Sequence, residues 1–160
     1  MGYNIASNWN RVICYDDNDN LVDEWTGGDI QISDIQCDNE WIEITGKINT
    51  VFQSALDYGV VIYGDEMLQF NFEHQQFHLK FERRKAIKES IVFEIVCRGV
   101  SKKAKISLQD AKKSQRLTQK GFIYLGTNAM LQIKKKEIRI IPNESIIGKI
   151  KSVVSSFMLK

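Results

Sequence analysis

Apolar and polar residues alternate along short runs of this chain, which is the period of a β-strand with one buried face. The clearest case is a pair of Leu- and Phe-rich runs at residues 68–72 and 77–81. The second run has the opposite parity to the first, and a turn at residues 73–76 resolves that change. We therefore predict a hairpin with all these apolar side chains on one face. Its predicted cross-strand pairs are Phe72 with Phe77, Phe70 with Leu79 and Leu68 with Phe81.

Similar patterns predict further strands along most of the chain. They cover residues 11–15, 21–25, 30–32, 42–44, 60–63, 91–97, 122–125, 130–133 and 138–141. The first two flank the turn-forming run Asp16–Asn20 and predict a second hairpin. Residues 49–59 predict a short helix, because Phe52, Ala55 and Leu56 share one helical face.

Two longer helices are predicted near the end of the chain. Ser107 is placed to cap a helix over residues 108–120, which Gly121 would end. After Pro142, Asn143 is placed to cap a C-terminal helix. Its apolar residues form one stripe that needs cover: Ile146, Ile147, Ile150, Val153, Val154, Phe157 and Met158.

These elements predict one α+β domain over residues 1–160. We expect mainly an antiparallel β meander, as a barrel or a strongly bent sheet, with a C-terminal amphipathic helix and one further helix. This layout is similar to that of pleckstrin-homology-like domains and of small ligand-binding barrels, although no motif of either is present. The resemblance leaves open a small apolar ligand-binding β-barrel as one alternative function.

Cysteine usage and the termini indicate a cytoplasmic protein. Cys14, Cys37 and Cys97 are far apart, odd in number and without a Cys-x-x-Cys pair. This argues against a disulfide framework and against a thiolate zinc site. The first residues lack the basic and apolar regions of a signal peptide, and no apolar run reaches membrane-spanning length.

No candidate motif for catalysis or metal binding has the residue types and spacing that the motif requires. Asp16–Asn20 begins like a calcium loop, but Leu21 and Gly27 stand where an EF-hand needs Gly and Glu. His74 and His78 have the spacing of a zinc pair on a helix, yet the surrounding alternation predicts a hairpin. We therefore expect no catalytic residues, no metal and no cofactor, and an enzyme is the class of function with the least support.

Charge is divided unevenly along the chain. Residues 1–79 contain fourteen acidic and two basic residues, and residues 80–160 contain six acidic and twenty basic residues. The first half therefore carries a formal charge of −12 and the second half +14, although the whole chain carries only +2. This division predicts an acidic face and a basic face. A cluster of charges of one sign attracts macromolecules of the opposite sign, so each face could bind a partner.

The charge division predicts a non-enzymatic interaction protein that recognises a charged macromolecular partner, of an adaptor, toxin-neutralising or inhibitor type. A protein partner is favoured; the alternative is nucleic-acid binding by the basic half, and no membrane partner is expected. The predicted basic face is Arg83, Arg84, Lys112, Arg116, Lys120, Lys134, Lys135 and Lys136. The predicted acidic face is Asp17, Asp19, Asp23 and Trp25. If early strands pair with late ones, the two signs would instead neutralise each other.

Overall fold

The computed structural model of the chain describes residues 2–108, 122–125 and 129–142. These residues form fourteen strands and two short helical segments. The strands are β1 (Asn4–Asn8), β2 (Arg11–Tyr15), β3 (Leu21–Glu24), β4 (Asp29–Cys37), β5 (Trp41–Asn49), β6 (Leu56–Tyr63), β7 (Glu66–Phe70), β8 (Gln76–Glu82), β9 (Ser90–Cys97), β10 (Val100–Lys103), β11 (Lys105–Leu108), β12 (Phe122–Leu125), β13 (Ala129–Ile133) and β14 (Ile138–Pro142). A 3-10 turn spans Gln53–Ala55, and a four-residue helix, α1, spans Arg83–Ala86.

The described strands make three sheets. The N-terminal sheet has the order β1-β2-β3. The largest sheet has the order β12-β13-β14-β9-β6-β7, and β10 pairs with β9 beside β14. The third sheet has the order β11-β4-β5-β8, in which β11 runs parallel to β4.

The predicted fold class is wrong. Strands make up 66% of the described residues, the sheets are three, and none of them closes into a barrel. The error has a physical reason, because alternation identifies strands without specifying which strands pair. The C-terminal helix and the helix over residues 108–120 were predicted on segments that lie almost entirely outside the described residues.

Alternating isoleucines build the third sheet as the sequence predicts. Ile30, Ile32, Ile42 and Ile44 are all completely buried. Strands β4 and β5 pair along their length, and an irregularity between Ile32 and Asp34 shifts the register. Each buried isoleucine contributes roughly 1.5–3 kcal/mol relative to an exposed one, so these strands anchor the core.

The Phe-rich hairpin was predicted correctly at its turn and wrongly along its strands. Glu73 and Gln76 exchange two backbone hydrogen bonds of 2.8 and 2.9 Å, which close the turn. Beyond it, β7 pairs with β6 while β8 pairs with β5, so the two runs belong to different sheets. The predicted pairs of Phe70 with Leu79 and Leu68 with Phe81 therefore do not form. The chain turns a corner here and passes from one sheet to the next.

The predicted helix over residues 49–59 is also wrong. Only the 3-10 turn forms there, and β6 begins at Leu56. Phe52 and Ala55 lie in the connection between β5 and β6, and both are buried in the core. The helical spacing of these residues reflects two separate burial sites, and neither requires a helix.

Candidate interaction surface

The N-terminal sheet carries the most exposed aromatic residue of the described chain. Asn8 pairs with Arg11, so Trp9 and Asn10 form a two-residue turn between β1 and β2. Trp9 has a φ of 56° and its side chain is 95% exposed. A left-handed conformation is unfavourable for a bulky residue and costs about 1–3 kcal/mol. Among the described residues, no packing around the indole offsets this cost.

The strand pairings define two faces of this sheet. Val12 and Cys14 point inward and are completely buried. On the outer face, Ile13 and Tyr15 are half-buried, and Tyr15 pairs across the sheet with Leu21, which is 69% exposed. The outer face is therefore apolar at its centre. Among the described residues of β2, those on the inner face are completely buried and those on the outer face are not.

The acidic turn Asp16–Asn20 closes the other end of this sheet. The Asp16 carboxylate accepts backbone hydrogen bonds from Asn18 and Asn20, each 2.9 Å long. These bonds stabilise the ionised form and lower the pKa of Asp16. The predicted partner-binding residue Asp17 accepts a bond from the Gly2 amide and another from Asn4. The turn is thus fixed by hydrogen bonds, and those to Asp16 favour its ionised form.

Negative charge on the sheet is only partly compensated. Residues 2–24 contain five acidic residues and a single basic one, Arg11. The guanidinium of Arg11 donates from Nε to Glu24 Oε1 at 2.7 Å, at the edge beside the Trp9 turn. Asp17 and Asp19 lie in the acidic turn at the far end, and Asp23 lies on β3. We call the outer face of this sheet, from Trp9 to the acidic turn, the N-terminal face.

Trp25, which was predicted to bind the partner, belongs to the core. Its side chain is 2% exposed, and its indole Nε1 donates to the Val100 carbonyl at 3.0 Å. Its ring packs edge-on against Phe52, with 5.6 Å between the ring centroids. Trp25 therefore offers no surface to a partner, and the sequence analysis missed Trp9.

Exposed large apolar side chains fall in the acidic half of the chain. Within the described ranges, they are Tyr3, Trp9, Leu21, Val22, Trp41 and Met67. Four of the six belong to the N-terminal sheet or to the residue before it. Apolar exposure and negative charge therefore coincide on the N-terminal sheet.

The predicted basic face is less continuous. Arg83 and Arg84 lie in α1, where Arg84 Nε donates to Glu82 at 2.8 Å. Lys134 lies 3.6 Å from Glu137, and the hairpin tip with Lys135 and Lys136 joins β13 to β14. Lys112, Arg116 and Lys120 lie outside the described residues. Several cations of the predicted face thus have carboxylate neighbours of their own.

Strands from the earlier and later parts of the chain also pair with each other in the described sheets. Strands β8, β9 and β11 of the later part pair with β5, β6 and β4. On the third sheet, the Lys80 ammonium lies 5.0 Å from the centroid of the Trp41 ring, and His78 Nε2 lies 2.6 Å from Glu43. Lys85 lies 3.6 Å from Glu66. Part of the charge division is therefore neutralised within the fold, whereas the N-terminal sheet pairs only with itself.

The two histidines lie in different elements of the fold. His74 sits in the turn with a φ of 50°, and His78 lies on the exposed side of β8. Among the described residues, no group of three or more His, Cys, Asp or Glu side chains is placed to hold a metal ion. Cys14 and Cys97 are buried thiols and Cys37 is half-buried.

Comparison of the chain with family models, with curated proteins and with solved structures found no match. Within the described ranges, no helix has the length and apolar character that crossing a bilayer requires.

Proposed function

We propose that this chain is a non-enzymatic interaction protein that binds a basic partner protein through its N-terminal face. The observation that carries the proposal is Trp9, which is almost fully exposed at a hairpin tip in a left-handed conformation. Tryptophan is enriched among the residues that dominate binding energy at protein interfaces. Burying the indole in a pocket of a partner would offset both its exposure and its backbone strain.

The rest of the N-terminal face indicates the kind of partner. Ile13, Tyr15 and Leu21 supply an apolar centre, and the turn Asp16–Asn20 supplies carboxylates at the end of the sheet away from Trp9. A partner that matches this surface has an apolar pocket for Trp9 and, at the other end of its interface, Lys or Arg side chains. Complementary charge of this kind raises the association rate and selects among partners more than it raises affinity.

The predicted nucleic-acid alternative has less support in the described residues. Arg84, Lys85 and Lys134 each lie beside a carboxylate, which weakens their attraction for phosphate. The N-terminal face would repel a polyanion. Since the apolar exposure coincides with negative charge, a basic protein fits the surface better than a nucleic acid does.

The test is capture of partners by the tagged protein, compared between wild type and two variants. Trp9→Ala should reduce the affinity of a true partner at least 30-fold, because loss of an interface anchor costs about 2 kcal/mol or more. Asp17→Lys combined with Asp19→Lys should slow association and remove its salt dependence. Met67→Ala, which removes another exposed apolar side chain, is the matched control and should bind normally.

A captured protein supports the proposal only if it is basic and responds as expected to all three changes: Trp9→Ala, the double Asp→Lys variant and Met67→Ala. Capture that survives Trp9→Ala would contradict the proposal. So would capture that nuclease treatment abolishes, which would instead support the nucleic-acid alternative.

A further inference from the structure

The turn between β7 and β8 has an unusual sequence for its backbone. His74 and Gln75 are its two central residues, and both have positive φ, 50° and 69°. A turn with two left-handed central residues ordinarily carries Asn-Gly, since those residues adopt the conformation most easily. The chain keeps two larger side chains where smaller ones would fold better. Strain of this kind is concentrated at functional sites.

The turn is also fixed in place from the neighbouring sheet. The Ile48 amide donates to the Gln75 carbonyl at 2.9 Å. The Gln75 side chain donates from Nε2 to Gln53 Oε1 at 2.6 Å, which links the turn to the connection before β6. The backbone of the turn and the Gln75 side chain are therefore positioned before any ligand arrives, as a binding site requires.

A surface hollow of about 580 Å³ opens beside the turn. Its size falls within the range of small-molecule sites. The residues that matter for its chemistry are Gln53, Asp57, Asn71, Phe72, His74 and Gln75. A second hollow of about 590 Å³ lies on the other side and shares Asn71 and His74 with the first. His74 thus stands between two adjoining recesses.

Three of the six polar side chains that line the first hollow are neutral amides, and the others are Ser54, Asp57 and His74. Each amide side chain offers a carbonyl acceptor and two N–H donors, which match hydroxyl groups that both donate and accept. The Asp57 carboxylate is held by a 2.8 Å hydrogen bond from the Gly99 amide. Phe72 contributes an apolar surface, and its ring is fixed edge-on against Phe70 with 5.3 Å between the centroids.

We propose that this hollow binds a neutral saccharide. A sugar ring offers several hydroxyl groups for the amides and an apolar C–H face for Phe72. An anionic ligand fits poorly, because Asp57 lies in the first hollow and Glu73 in the second. The site is independent of the N-terminal face and of the partner proposed for it.

The test is a titration of ¹⁵N-labelled protein with glucose, galactose, mannose and N-acetylglucosamine, followed by amide chemical shifts. At least one sugar should shift amides within residues 53–57 and 71–76, with a dissociation constant in the millimolar range. Asn71→Ala should weaken binding about tenfold, which corresponds to one lost hydrogen bond. Inositol hexakisphosphate is the anionic control and should not shift these amides.

A second variant separates binding from folding. His74→Asn combined with Gln75→Gly keeps the turn and relieves its strain, so it should melt at a higher temperature than wild type while losing the sugar response. Trp9→Ala should leave the sugar response intact, which keeps this test distinct from that of the proposed function. The proposal is overturned if none of the four sugars shifts these amides, or if the double variant still responds like wild type.

Discussion

Phe70 and Phe77 belong to different sheets, yet their ring centroids lie 5.2 Å apart. The ring of Phe93 on β9 lies 6.1 Å from Phe70 and 5.9 Å from Phe77. These aromatic contacts join the largest sheet to the third sheet immediately inside the turn where the chain passes between them. Aromatic pairs of this geometry contribute about 0.5–1.5 kcal/mol beyond their burial.

Each of the two rings lies over a glycine on its neighbouring strand. Gly59 pairs with Phe70, and Gly46 pairs with Phe77. A Cβ atom on Gly46 would come within 2.9 Å of the Phe77 ring and 2.5 Å of the Gln31 carbonyl oxygen, and one on Gly59 would overlap the Phe70 ring. The absence of a side chain at both positions lets the two rings meet between the sheets.

Gly59→Ala should therefore destabilise the protein by about 1–3 kcal/mol, the usual cost of forcing extra volume into a packed core. Urea unfolding followed by tryptophan fluorescence measures the change. Gly2→Ala is the control, because an added Cβ there meets only ordinary contacts with Asp17 at 3.5 Å. Equal stability of Gly59→Ala and wild type would mean that Phe70 does not pack over this glycine.

Phe93→Ala should cost about 3–5 kcal/mol, because a completely buried ring that contacts both sheets leaves a cavity. Phe93→Leu keeps most of the volume and should cost less. Denaturant melts of both variants check the ordering. If the two variants lost equal stability, the position would be sensitive to any change and the cavity argument would be wrong.

The three thiols should differ in reactivity. Burial raises the pKa of Cys97 to about 11, with a further contribution from the nearby Asp57 carboxylate. Burial also raises the pKa of Cys14 and Cys37, but Cys37 alone among the three is partly accessible. Because the thiolate is the reactive form, modification by a thiol reagent at pH 8 should begin at Cys37. Mass spectrometry of partially modified protein identifies the site, and early labelling of Cys97 would contradict the burial of β9.

The sequence specifies local structure in this chain better than it specifies which strands pair. The turn at residues 73–76 followed from the parity change alone and is confirmed. Parity carries no information on partners, since Phe70 and Phe77 point into the same core whether their strands pair together or apart. The glycines indicate which strands pair, because a large ring on the neighbouring strand can lie over Gly46 or Gly59.

The candidate surface shows a similar limit. Counting charge located the acidic part of the chain, including the turn Asp16–Asn20, but composition does not distinguish a buried tryptophan from an exposed one. Trp25 follows a strand into the core, whereas Trp9 occupies a turn. Only the pairing of Asn8 with Arg11 reveals the difference. Which charges lie close enough to neutralise each other likewise depends on strand pairing, as the register of Lys80 on β8 opposite Glu43 on β5 shows.

Asp38 should make stability depend on pH. Its carboxylate accepts backbone hydrogen bonds from Trp41 at 2.7 Å and Glu40 at 2.8 Å, which lower its pKa in the folded state. A carboxyl whose pKa is lowered by folding stabilises the protein above its unfolded pKa of about 3.9, and this stabilisation is lost as pH falls through the folded pKa. Asp38→Ala should therefore melt below wild type at pH 7, and the gap should narrow below about pH 4. If the difference in melting temperature between wild type and Asp38→Ala stayed constant from pH 7 to pH 3, ionisation of Asp38 would not be its cause.

Trp9 should lower the free energy of unfolding slightly and should be necessary for partner binding. Glycine adopts the left-handed φ of 56° without strain, so Trp9→Gly relieves about 1 kcal/mol, which the greater freedom of glycine in the unfolded chain partly cancels. The free energy of unfolding should then be unchanged or slightly raised, while partner affinity falls as it does for Trp9→Ala. Trp25→Gly is the contrasting variant: it removes a buried ring and its hydrogen bond to Val100, and it should destabilise the fold by several kcal/mol. Denaturant melts together with binding measurements test both. A clear loss of stability in Trp9→Gly would show that the indole packs within the fold, and the case for an interaction surface at this turn would fail.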